Sequence, residues 1–439
     1  MKPIKTFLLN GLILTITALL LRCIGMFFNS YVSQKIGTEA IGLYGLLMSI
    51  YGFAVTLALS GINIATTKII SEEIATGNTQ NINIAMKKCL IFSILFSCIS
   101  SILLITFAPL ICTKILNNKI TCVPFYIISI SLPFIAMSSC LSGYFSAIRD
   151  SIKPSSEQIL EQTLKVILIS LFLNHFMPCG LEYICISLIL GNIISEIFSF
   201  FYIYLLYKID KRKYLYNKPT NSFFEKRILE VTIPVGLTSL IRSGLSTIKQ
   251  ILIPLSFQKS GITYKQALSN YGLISGMTMP LILFPNIIII SFSNLLLPEF
   301  TEFNTCKNYN KIKKISNFVL KYTTIFSVLI AVLLFIFSDK LGYLIYKSSN
   351  VAFYIRILAP IIPFIYVDTV IDTILKSLDK HINVLLINIL DLILSILFIF
   401  IIIPKFGIPG YIFVIYFSEL LNFSISFYTL KKNITGAFL

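Results

Sequence analysis

The chain has 439 residues, of which 56% are hydrophobic and 13% are charged, and its mean hydropathy is +0.86. This apolar share exceeds that of a soluble globular domain and predicts a polytopic membrane protein. The formal net charge of +17 does not indicate a nucleic acid as partner, because the 36 Lys and Arg residues lie mostly between apolar segments and form no basic face on a soluble segment.

Twelve apolar windows of about 20 residues predict twelve transmembrane spans. In chain order they cover residues 9–32, 40–62, 87–112, 123–148, 155–177, 180–207, 228–256, 267–297, 315–338, 351–379, 382–403 and 409–430. No window alternates in the way of an outer-membrane strand, so we predict an all-α membrane protein. The sequence has no nucleotide-binding loop, and we expect no cofactor. Its nine cysteines show neither C-x-x-C nor metal-ligand spacing and imply no disulfide framework.

Basic residues predict which side of the membrane each connection faces. The connections on the side of the two termini hold 22 Lys and Arg residues, and those on the other side hold eight. Because cytoplasmic connections are the basic ones, both termini are predicted to be cytoplasmic. The remaining six basic residues lie within spans, and they are Arg22, Lys165, Arg242, Lys249, Lys321 and Arg356.

A polar connection at residues 208–227 divides six spans from six. It predicts an N-terminal lobe of residues 1–207 and a C-terminal lobe of residues 228–439, joined by a basic cytoplasmic linker. Short motifs recur in the same order in both halves, Tyr-Gly-Leu from positions 44 and 271 and Pro-Phe-Ile from positions 133 and 363. Because six is an even number, the two halves have the same orientation, and we predict two parallel six-helix repeats.

Arg22 and Arg242 lie in the apolar spans 1 and 7, at a depth where a charge is costly. On insertion scales a charge at the bilayer centre costs about 2.5–3.5 kcal/mol. Lys249 follows Arg242 two helical turns later, and on span 1 Arg22 shares one face with Gly25 and Asn29. These positions predict a water-filled cavity between the halves, where Arg22, Arg242, Lys249 and Asn29 bind an anionic ligand.

An alternative is that each arginine pairs with a buried acid. The candidate acids within spans are Glu161, Glu196, Asp368, Asp372, Asp391 and Glu419. Glu161 is expected to pair instead with Lys165, one turn later on the same face. For Asp368 and Asp372, which share a face of span 10, we rank pairing with Arg242 ahead of gating or proton coupling. Gly25 is a further candidate for gating or coupling.

Three spans carry pairs of prolines, which remove internal hydrogen bonds and permit bending. The pairs are Pro234 with Pro254 at the two ends of span 7, Pro280 with Pro285 inside span 8, and Pro360 with Pro363 in span 10. Such breaks would supply the mobility that a carrier needs.

The first 80 residues contain a series of motifs that resembles a known family. The motifs are Arg22-Cys23-Ile24-Gly25, Tyr31-Val32-Ser33, the run from Gly37 to Tyr44, Ser60-Gly61-Ile62 and Lys68-Ile69-Ile70-Ser71-Glu72-Glu73. They resemble the stage V sporulation protein B family of polysaccharide-export flippases, part of the multidrug, oligosaccharidyl-lipid and polysaccharide (MOP) exporter superfamily. The family is similar to flippases for lipid II, which carry cavity arginines on the first helix and near the seventh, where this chain has Arg22 and Arg242.

The resemblance implies a V-shaped, MATE-like fold and a lipid-linked cell-wall precursor as substrate, moved outward for peptidoglycan or spore cortex synthesis. The expected partners are this anionic sugar precursor, membrane lipid, a coupling ion (H⁺ or Na⁺) and cell-wall synthesis enzymes. One alternative is a cation-coupled multidrug antiporter of the same fold, which needs an acid on span 1 or 7, where only Glu230 occurs. The other is a non-transporting membrane scaffold. An enzyme is not expected, because no motif joins a nucleophile, a base and an orienting group.

Overall fold

The computed structural model describes residues 2–77, 81–115, 122–211 and 224–435. These residues form helices and short connections, and the described parts of the chain contain no strand. The α-helices are α1 (Lys2–Leu59), α2 (Ile62–Ala75), α3 (Ile82–Leu110), α4 (Val123–Ala147), α5 (Ile152–Phe176), α6 (Leu181–Asp210), α7 (Phe224–Lys259), α8 (Tyr264–Tyr271), α9 (Met279–Leu283), α10 (Asn286–Thr305), α11 (Tyr309–Ile336), α12 (Ser338–Tyr346), α13 (Ser349–Leu358), α14 (Ile362–Ser377) and α15 (His381–Thr435).

The helices are those of a polytopic membrane protein. Among described residues, nine helices are long and apolar enough to cross a membrane, and a bent pair, Tyr264–Leu283 with Asn286–Ser293, makes a tenth span. The two longest helices, α1 and α15, each contain a break, at Gly37 and at Gly407. Dividing these helices at their breaks raises the number of spans to twelve, as predicted. The prediction of an all-α membrane protein is therefore confirmed.

Glycine and proline explain where the spans break. Gly37 and Gly407 have φ angles of 78° and 59°, a left-handed backbone that glycine adopts without steric cost. Pro285 lies at the break where predicted span 8 bends by 54°, and Pro280 lies in the first turn of α9, directly after the π-helical turn. A 3₁₀ turn that contains Pro360 precedes α14. The breaks predicted for spans 8 and 10 are thus confirmed.

The expectation that Pro234 and Pro254 lie at the two ends of span 7 was wrong. Pro234 and Pro254 lie inside α7, which continues for ten residues before the first proline and five after the second. Proline lacks the amide hydrogen that would donate to the preceding turn, but a long apolar helix held by its neighbours tolerates the loss. The structured helix also contains Glu225, so α7 begins with two acids, Glu225 and Glu230, rather than one.

The chain folds into two compact units. Unit 1 comprises Met1–Gly25 with Leu47–Thr247, and unit 2 comprises Met26–Leu46 with Ile248–Leu439. The boundaries differ from those of the predicted lobes, because residues 26–46 pack within unit 2 and the first two thirds of α7 pack within unit 1. It stays a prediction that the chain has two lobes that move as bodies and that a basic linker joins them. Of the 208–227 linker, residues 212–223 lie outside the described part of the chain.

Unit 1 has a continuous hydrophobic core where α2, α3, α4 and α6 meet the start of α7. Its central aromatic residues are Tyr144, Phe145 and Phe224, each at most 1% exposed. Phe224 and Ile228 insert the first turns of α7 into this core, which fixes the start of the helix on unit 1. Burial of these side chains is the main stabilising contribution of the contact.

Unit 2 incorporates residues 26–46 through close backbone packing. The carbonyl oxygen of Thr38 lies only 2.1 Å from where a Cβ on Gly272 would be, so the helices can approach this closely only because the residue is glycine. The Thr38 Oγ1 and Ser269 Oγ atoms are 2.5 Å apart and share a hydrogen bond. Lys265 Nζ also lies 3.3 Å from Glu39 Oε2. These contacts attach the turn after the Gly37 break to α8 and the π-helical turn that follows it.

Candidate anion-binding site

Arg22 and Arg242 both belong to unit 1. Arg22 lies in the first part of α1, and Arg242 lies in the part of α7 that packs on unit 1. Both side chains are exposed. Within the described residues of unit 1, no carboxylate oxygen comes within 4.0 Å of either guanidinium, although other Arg and Lys residues in the same unit do form such pairs. Both cations thus lie in apolar helices with no local counter-ion among the residues of unit 1 that the structure describes.

Contacts on one face of α7 direct Arg242 away from α1. Thr56 Oγ1 donates to Ser243 Oγ at 3.1 Å, and Thr247 Oγ1 donates to the carbonyl oxygen of Ser49 at 3.0 Å. Gly244 packs near the ring of Phe53. At 100° per residue, Arg242 projects to a different side from Ser243 and Thr247, which leaves its guanidinium free of the α1 packing face.

Arg22 lies one helical turn before Gly25. A Cβ placed on Gly25 would lie 3.8 Å from Nε2 of Gln162, so this part of α1 runs close to α5. Gly25 thus faces α5, and a Cβ at this position would make only an ordinary van der Waals contact with Gln162. A role for Gly25 in gating stays a prediction.

Lys249 belongs to unit 2 and has polar partners there. Its Nζ atom lies 3.1 Å from Ser395 Oγ and 3.4 Å from Ser418 Oγ, both on α15. Ser418 in turn donates to Asp391 Oδ1 at 2.6 Å. Lys249 is therefore held by a chain of hydroxyl groups that ends on a carboxylate, unlike the two arginines. Its contact with an anionic ligand stays a prediction.

Asn29 and the two aspartates of α14 also have partners within unit 2. Asn29 Nδ2 donates to the carbonyl oxygen of Gly276 at 3.0 Å. Asp368 accepts a hydrogen bond of 3.0 Å from Asn422 Nδ2, and Asp372 lies 3.7 Å from Lys376 Nζ, one turn later. The predicted pairing of these aspartates with Arg242, which belongs to unit 1, stays a prediction, as does their role in gating or coupling.

The expected pair of Glu161 with Lys165 is confirmed, at 4.0 Å. Sequence reasoning missed the buried acid next to it, Glu157, which accepts hydrogen bonds from Ser138 at 3.1 Å and Ser199 at 2.5 Å. The signal was present, because Glu157 precedes Glu161 by four residues and shares its helix face.

Glu196 is buried in unit 1 and accepts two short hydrogen bonds. Tyr51 and Asn192 each donate to its Oε1 atom at 2.5 Å. Glu196 is 8% exposed and Tyr51 is 7% exposed, so water has little access to this contact. Sequence reasoning named Glu196 but neither donor. Tyr51 is 145 residues away in the chain and no local pattern reveals it, whereas Asn192 lies one turn before Glu196 on α6, a spacing that indicates contact.

A second unpredicted cluster fixes the start of α7 on α2. Arg227 Nη2 lies 2.6 Å from Glu72 Oε2, and Arg227 Nη1 lies 2.8 Å from Glu73 Oε1. Asn81 Nδ2 donates to the other oxygen of Glu73 at 3.0 Å. A guanidinium satisfies two carboxylates at once because its nitrogens lie in a fixed planar fork. The sequence alone predicts only that Arg227 lies on the basic side of the membrane.

Comparison with known families and proteins gives a consistent result. The model of a family described as polysaccharide biosynthesis protein matches residues 7–304. Stage V sporulation protein B of Bacillus subtilis (strain 168) is 26% identical over 380 residues, which is 85% of this chain and 73% of that protein. Sporulation protein YkvU of the same organism is 20% identical over 363 residues, 81% of this chain and 78% of that protein.

The fold also matches a solved transporter structure. The similarity is to the inward-facing conformation of a multidrug resistance MATE family transporter of the MOP superfamily, with a TM-score of 0.77. The match covers 96% of this chain and 98% of that one, at 14% sequence identity. The predicted MOP-type transporter fold is confirmed by this similarity.

Proposed function

The chain belongs to the polysaccharide biosynthesis protein family, and its fold is similar to that of a membrane transporter. We therefore propose that it is a flippase for a lipid-linked, anionic sugar precursor. The proposed substrate is a polyprenyl pyrophosphate sugar of peptidoglycan or spore cortex synthesis, moved across the cytoplasmic membrane by alternating access. The observation that carries the proposal is the pair of exposed arginines, Arg22 and Arg242, which have no carboxylate within 4.0 Å among the described residues of their unit.

The chemistry of the head group fits these two cations. A pyrophosphate presents several oxygens of high charge density, and a guanidinium binds such oxygens through charge-assisted, bidentate hydrogen bonds. Away from bulk water these bonds are stronger than at the protein surface. Arg22 and Arg242 would hold the phosphates while the polyprenyl tail stays in the lipid. Lys249 and Asn29 are proposed to contact the sugar or the second phosphate.

Transport also needs a source of energy, for which we propose a gradient of H⁺ or Na⁺. Asp368 and Asp372 on α14 are the proposed coupling or gating groups, because carboxylates within membrane helices exchange protons or bind cations. Gly25 is proposed to permit local bending near Arg22. Cell-wall synthesis enzymes are the proposed partners that supply or consume the precursor.

The test of the substrate site is the loss of flipping when either arginine is removed. In vesicles that contain the purified protein and a lipid-linked pyrophosphate sugar, we expect Arg22→Ala and Arg242→Ala to abolish flipping while insertion and folding stay normal. Arg22→Lys keeps the charge but loses the planar fork, so it should retain only part of the activity.

Arg356→Ala is the matched control, because the Arg356 guanidinium already has a carboxylate partner, Asp339 Oδ2 at 2.6 Å. This variant should flip the precursor at the normal rate. Full activity of both Arg22→Ala and Arg242→Ala would disprove the proposed site. Binding of precursors that carry one or two phosphates would then show whether the phosphates are recognised at all.

The second candidate function is a cation-coupled multidrug antiporter. Of spans 1 and 7, where such an antiporter needs its acid, only α7 carries acids, Glu225 and Glu230 at its start, but α5 and α6 of unit 1 hold buried acids that are suited to the same role. Glu157 and Glu196 lie in membrane helices, and each accepts two hydrogen bonds from neighbouring side chains. A carboxylate in such a position is suited to exchanging a cation for a cationic drug. Preference of the purified protein for cationic over anionic ligands would favour this function. Complementation that persists after both arginines are neutralised would instead favour a non-transporting scaffold.

A further inference from the structure

A short helix, α12, continues the membrane-spanning helix α11 beyond a break at Phe337. The backbone of Phe337 has φ −91° and ψ 11°, which is not α-helical. Arg356 on α13 holds the start of α12, because its guanidinium donates to Asp339 Oδ2 at 2.6 Å and to Ser338 Oγ at 3.2 Å. Asp339 is the single acid of α12 and α13, and this contact already pairs it.

The buried face of α11 continues into α12 across the break. It consists of buried residues at intervals of three or four positions, namely Ile312, Ser316, Val319, Thr323, Ser327, Ala331, Leu334, Ser338, Gly342 and Tyr346. On α12 this face packs against α13, where a Cβ on Gly342 would lie 2.7 Å from the Cβ of Ala352. Residues at such intervals share one side of a helix, so α12 turns the same side outward as α11 does.

The exposed face of α11 continues in the same way. On α11 it is a stripe of large apolar side chains, Phe318, Tyr322, Ile325, Leu329, Leu333 and Ile336. In a helix that crosses a membrane, such a stripe is covered by lipid. At the same intervals the exposed residues of α12 are Lys340, Tyr343, Leu344 and Lys347. Tyr343 is 72% exposed and Leu344 is 76% exposed, so the lipid-facing stripe leads onto two apolar side chains between two lysines.

The length of this stripe places α12 at the level of the lipid head groups. At a rise of 1.5 Å per residue, the part from Phe318 to Ile336 is about 27 Å long, which matches a hydrocarbon core of about 30 Å. Lys340 follows one turn later, where the head-group layer begins. Side chains of a helix tilt toward its N-terminus, so Tyr343 and Leu344 lean back toward the bilayer. A lysine stem is long enough to bring its ammonium group to the same layer.

Neither lysine of this face is neutralised by an acid of its own unit. Other basic residues of unit 2 form ion pairs. Among the residues of unit 2 that the structure describes, however, no carboxylate oxygen lies within 4.0 Å of Lys340 Nζ or Lys347 Nζ. A cation on each side of an apolar surface is complementary to an amphiphile that carries its anion next to its hydrocarbon chain. An anionic phospholipid has this chemistry.

We propose that α12 is an interfacial helix whose exposed face, formed by Lys340, Tyr343, Leu344 and Lys347, binds anionic phospholipids of the outer leaflet. The two ammonium groups pair with lipid phosphates, and the two apolar side chains lie at the boundary between head groups and acyl chains. The outer leaflet follows from the predicted orientation, which puts α12 on the side opposite the termini. None of the four residues belongs to the proposed anion-binding site, so the lipid contact and the transported substrate are tested separately.

The first test measures the depth of α12 by fluorescence. The chain contains no tryptophan, so a single introduced tryptophan reports on its own position. The full chain with Tyr343→Trp is reconstituted in vesicles of phosphatidylcholine and phosphatidylglycerol, in which a fraction of the lipid carries a nitroxide quencher. Ile325→Trp, near the middle of the lipid-facing stripe, is the reference. We expect a head-group nitroxide to quench Tyr343→Trp more strongly than a nitroxide deep in the acyl chain does, and Ile325→Trp to show the reverse order.

The second test measures the choice of lipid. A nitroxide near the glycerol is carried either by the phosphatidylglycerol or by the phosphatidylcholine of the same mixture. Quenching of Tyr343→Trp should indicate local enrichment of phosphatidylglycerol by roughly fivefold for each lysine. Adding Lys340→Gln with Lys347→Gln should remove this enrichment. Adding Lys259→Gln with Lys405→Gln, which removes the same charge from the same predicted side of the membrane, should preserve it.

Three results would overturn the proposal. Tyr343→Trp that emits as a tryptophan in water does, and that no lipid nitroxide quenches, would place α12 outside the bilayer interface. Equal quenching by the two labelled lipids would exclude selection of an anionic lipid. Enrichment that persists in Lys340→Gln with Lys347→Gln would assign the lipid contact to other residues.

Discussion

Tyr51 is a donor on which the buried carboxyl of Glu196 depends. Tyr51→Phe removes one of the two hydrogen bonds to Oε1 without changing the volume of the side chain. The Glu196 carboxyl is buried in a membrane helix, so bulk water cannot replace the lost hydrogen bond. We expect the variant to lose about 1–3 kcal/mol of unfolding free energy, measured by SDS titration of the protein in detergent.

The control for this change is Tyr428→Phe, which alters a ring that is 67% exposed. Removing its hydroxyl leaves no buried group without a partner, and the unfolding free energy should stay at the wild-type value. If Tyr51→Phe is as stable as Tyr428→Phe, the Glu196 carboxyl does not depend on the phenol for its stability.

Single side chains differ in how far the sequence could place them. Arg22 and Arg242 were found because a charge in an apolar window is visible without any tertiary structure. Glu157 could have been found from its spacing to Glu161. The hydrogen bond from Tyr51 to Glu196 could not, because it joins helices far apart in the chain and no periodicity encodes which tyrosine reaches which acid.

Close approach of the turn after Gly37 to the π-helical turn depends on glycine at position 272. Gly272→Ala would put a methyl group 2.1 Å from the carbonyl oxygen of Thr38, and a backbone atom cannot move aside as a flexible side chain does. We expect the helices to separate and the unfolding free energy to fall by about 1–3 kcal/mol. Gly52→Ala is the matched control, since nothing lies within 4 Å of its new methyl group.

Gly52 lies inside α1, where alanine is the better helix former, so Gly52→Ala should be neutral or slightly stabilising. Thermal unfolding of the two variants in the same detergent provides the comparison. Equal midpoints for Gly272→Ala and Gly52→Ala would mean that residues 38–42 are not held against the π-helical turn in the way described.

The first turns of α7 depend on the Arg227 fork more than on the neighbouring ion pair. Arg227→Gln removes the guanidinium that pairs with Glu72 and with the buried Glu73. The hydrogen bond from Asn81 to Glu73 remains. Because Arg227 is partly exposed, solvent weakens the interaction, and we expect a loss of about 1–2 kcal/mol. Hydrogen exchange of the amides at the start of α7 should become faster.

Lys88→Gln is the control for this element. It breaks the 2.6 Å pair with Glu225, but both of those side chains are well exposed. Exposed pairs contribute little to stability, so exchange at the same amides should hardly change. Faster exchange in Lys88→Gln than in Arg227→Gln would contradict the importance assigned to the fork.

Helix breaks show what a sequence reveals at the scale of elements. The proline signals predicted the interruptions at span 8 and at span 10, and the gaps between apolar windows predicted those within α1 and α15. The proline signals failed at Pro234 and Pro254, because tertiary packing of α7 on its neighbours outweighs the local cost of a proline. A local signal therefore marks where a helix is weak, and the contacts of the folded chain decide whether it breaks.

At the scale of the whole chain, the apolar windows were sufficient to give the number of spans but not the composition of the two compact units. Residues 26–46 belong to unit 2 because of interactions such as the hydrogen bond from Asn29 to Gly276 and the pair of Thr38 with Ser269. Each joins residues more than 200 positions apart. Hydropathy and the position of a polar linker depend only on residues that are close in the chain, so they carry no information about such interactions.

The number of spans makes a prediction about orientation that is independent of the charge distribution. Twelve spans place both termini on one side, and seven spans before Gly261 place the turn after α7 on the other. The basic connections add that the side of the termini is the cytoplasm. Green fluorescent protein fused to either terminus should therefore fluoresce, and alkaline phosphatase inserted after Gly261 should be active, whereas phosphatase fused to the C-terminus should be inactive. Active phosphatase at the C-terminus together with fluorescence at the N-terminus would mean an odd number of spans. Active phosphatase at the C-terminus, no fluorescence from either terminal fusion and inactive phosphatase after Gly261 would instead reverse the predicted orientation and leave the number of spans unchanged.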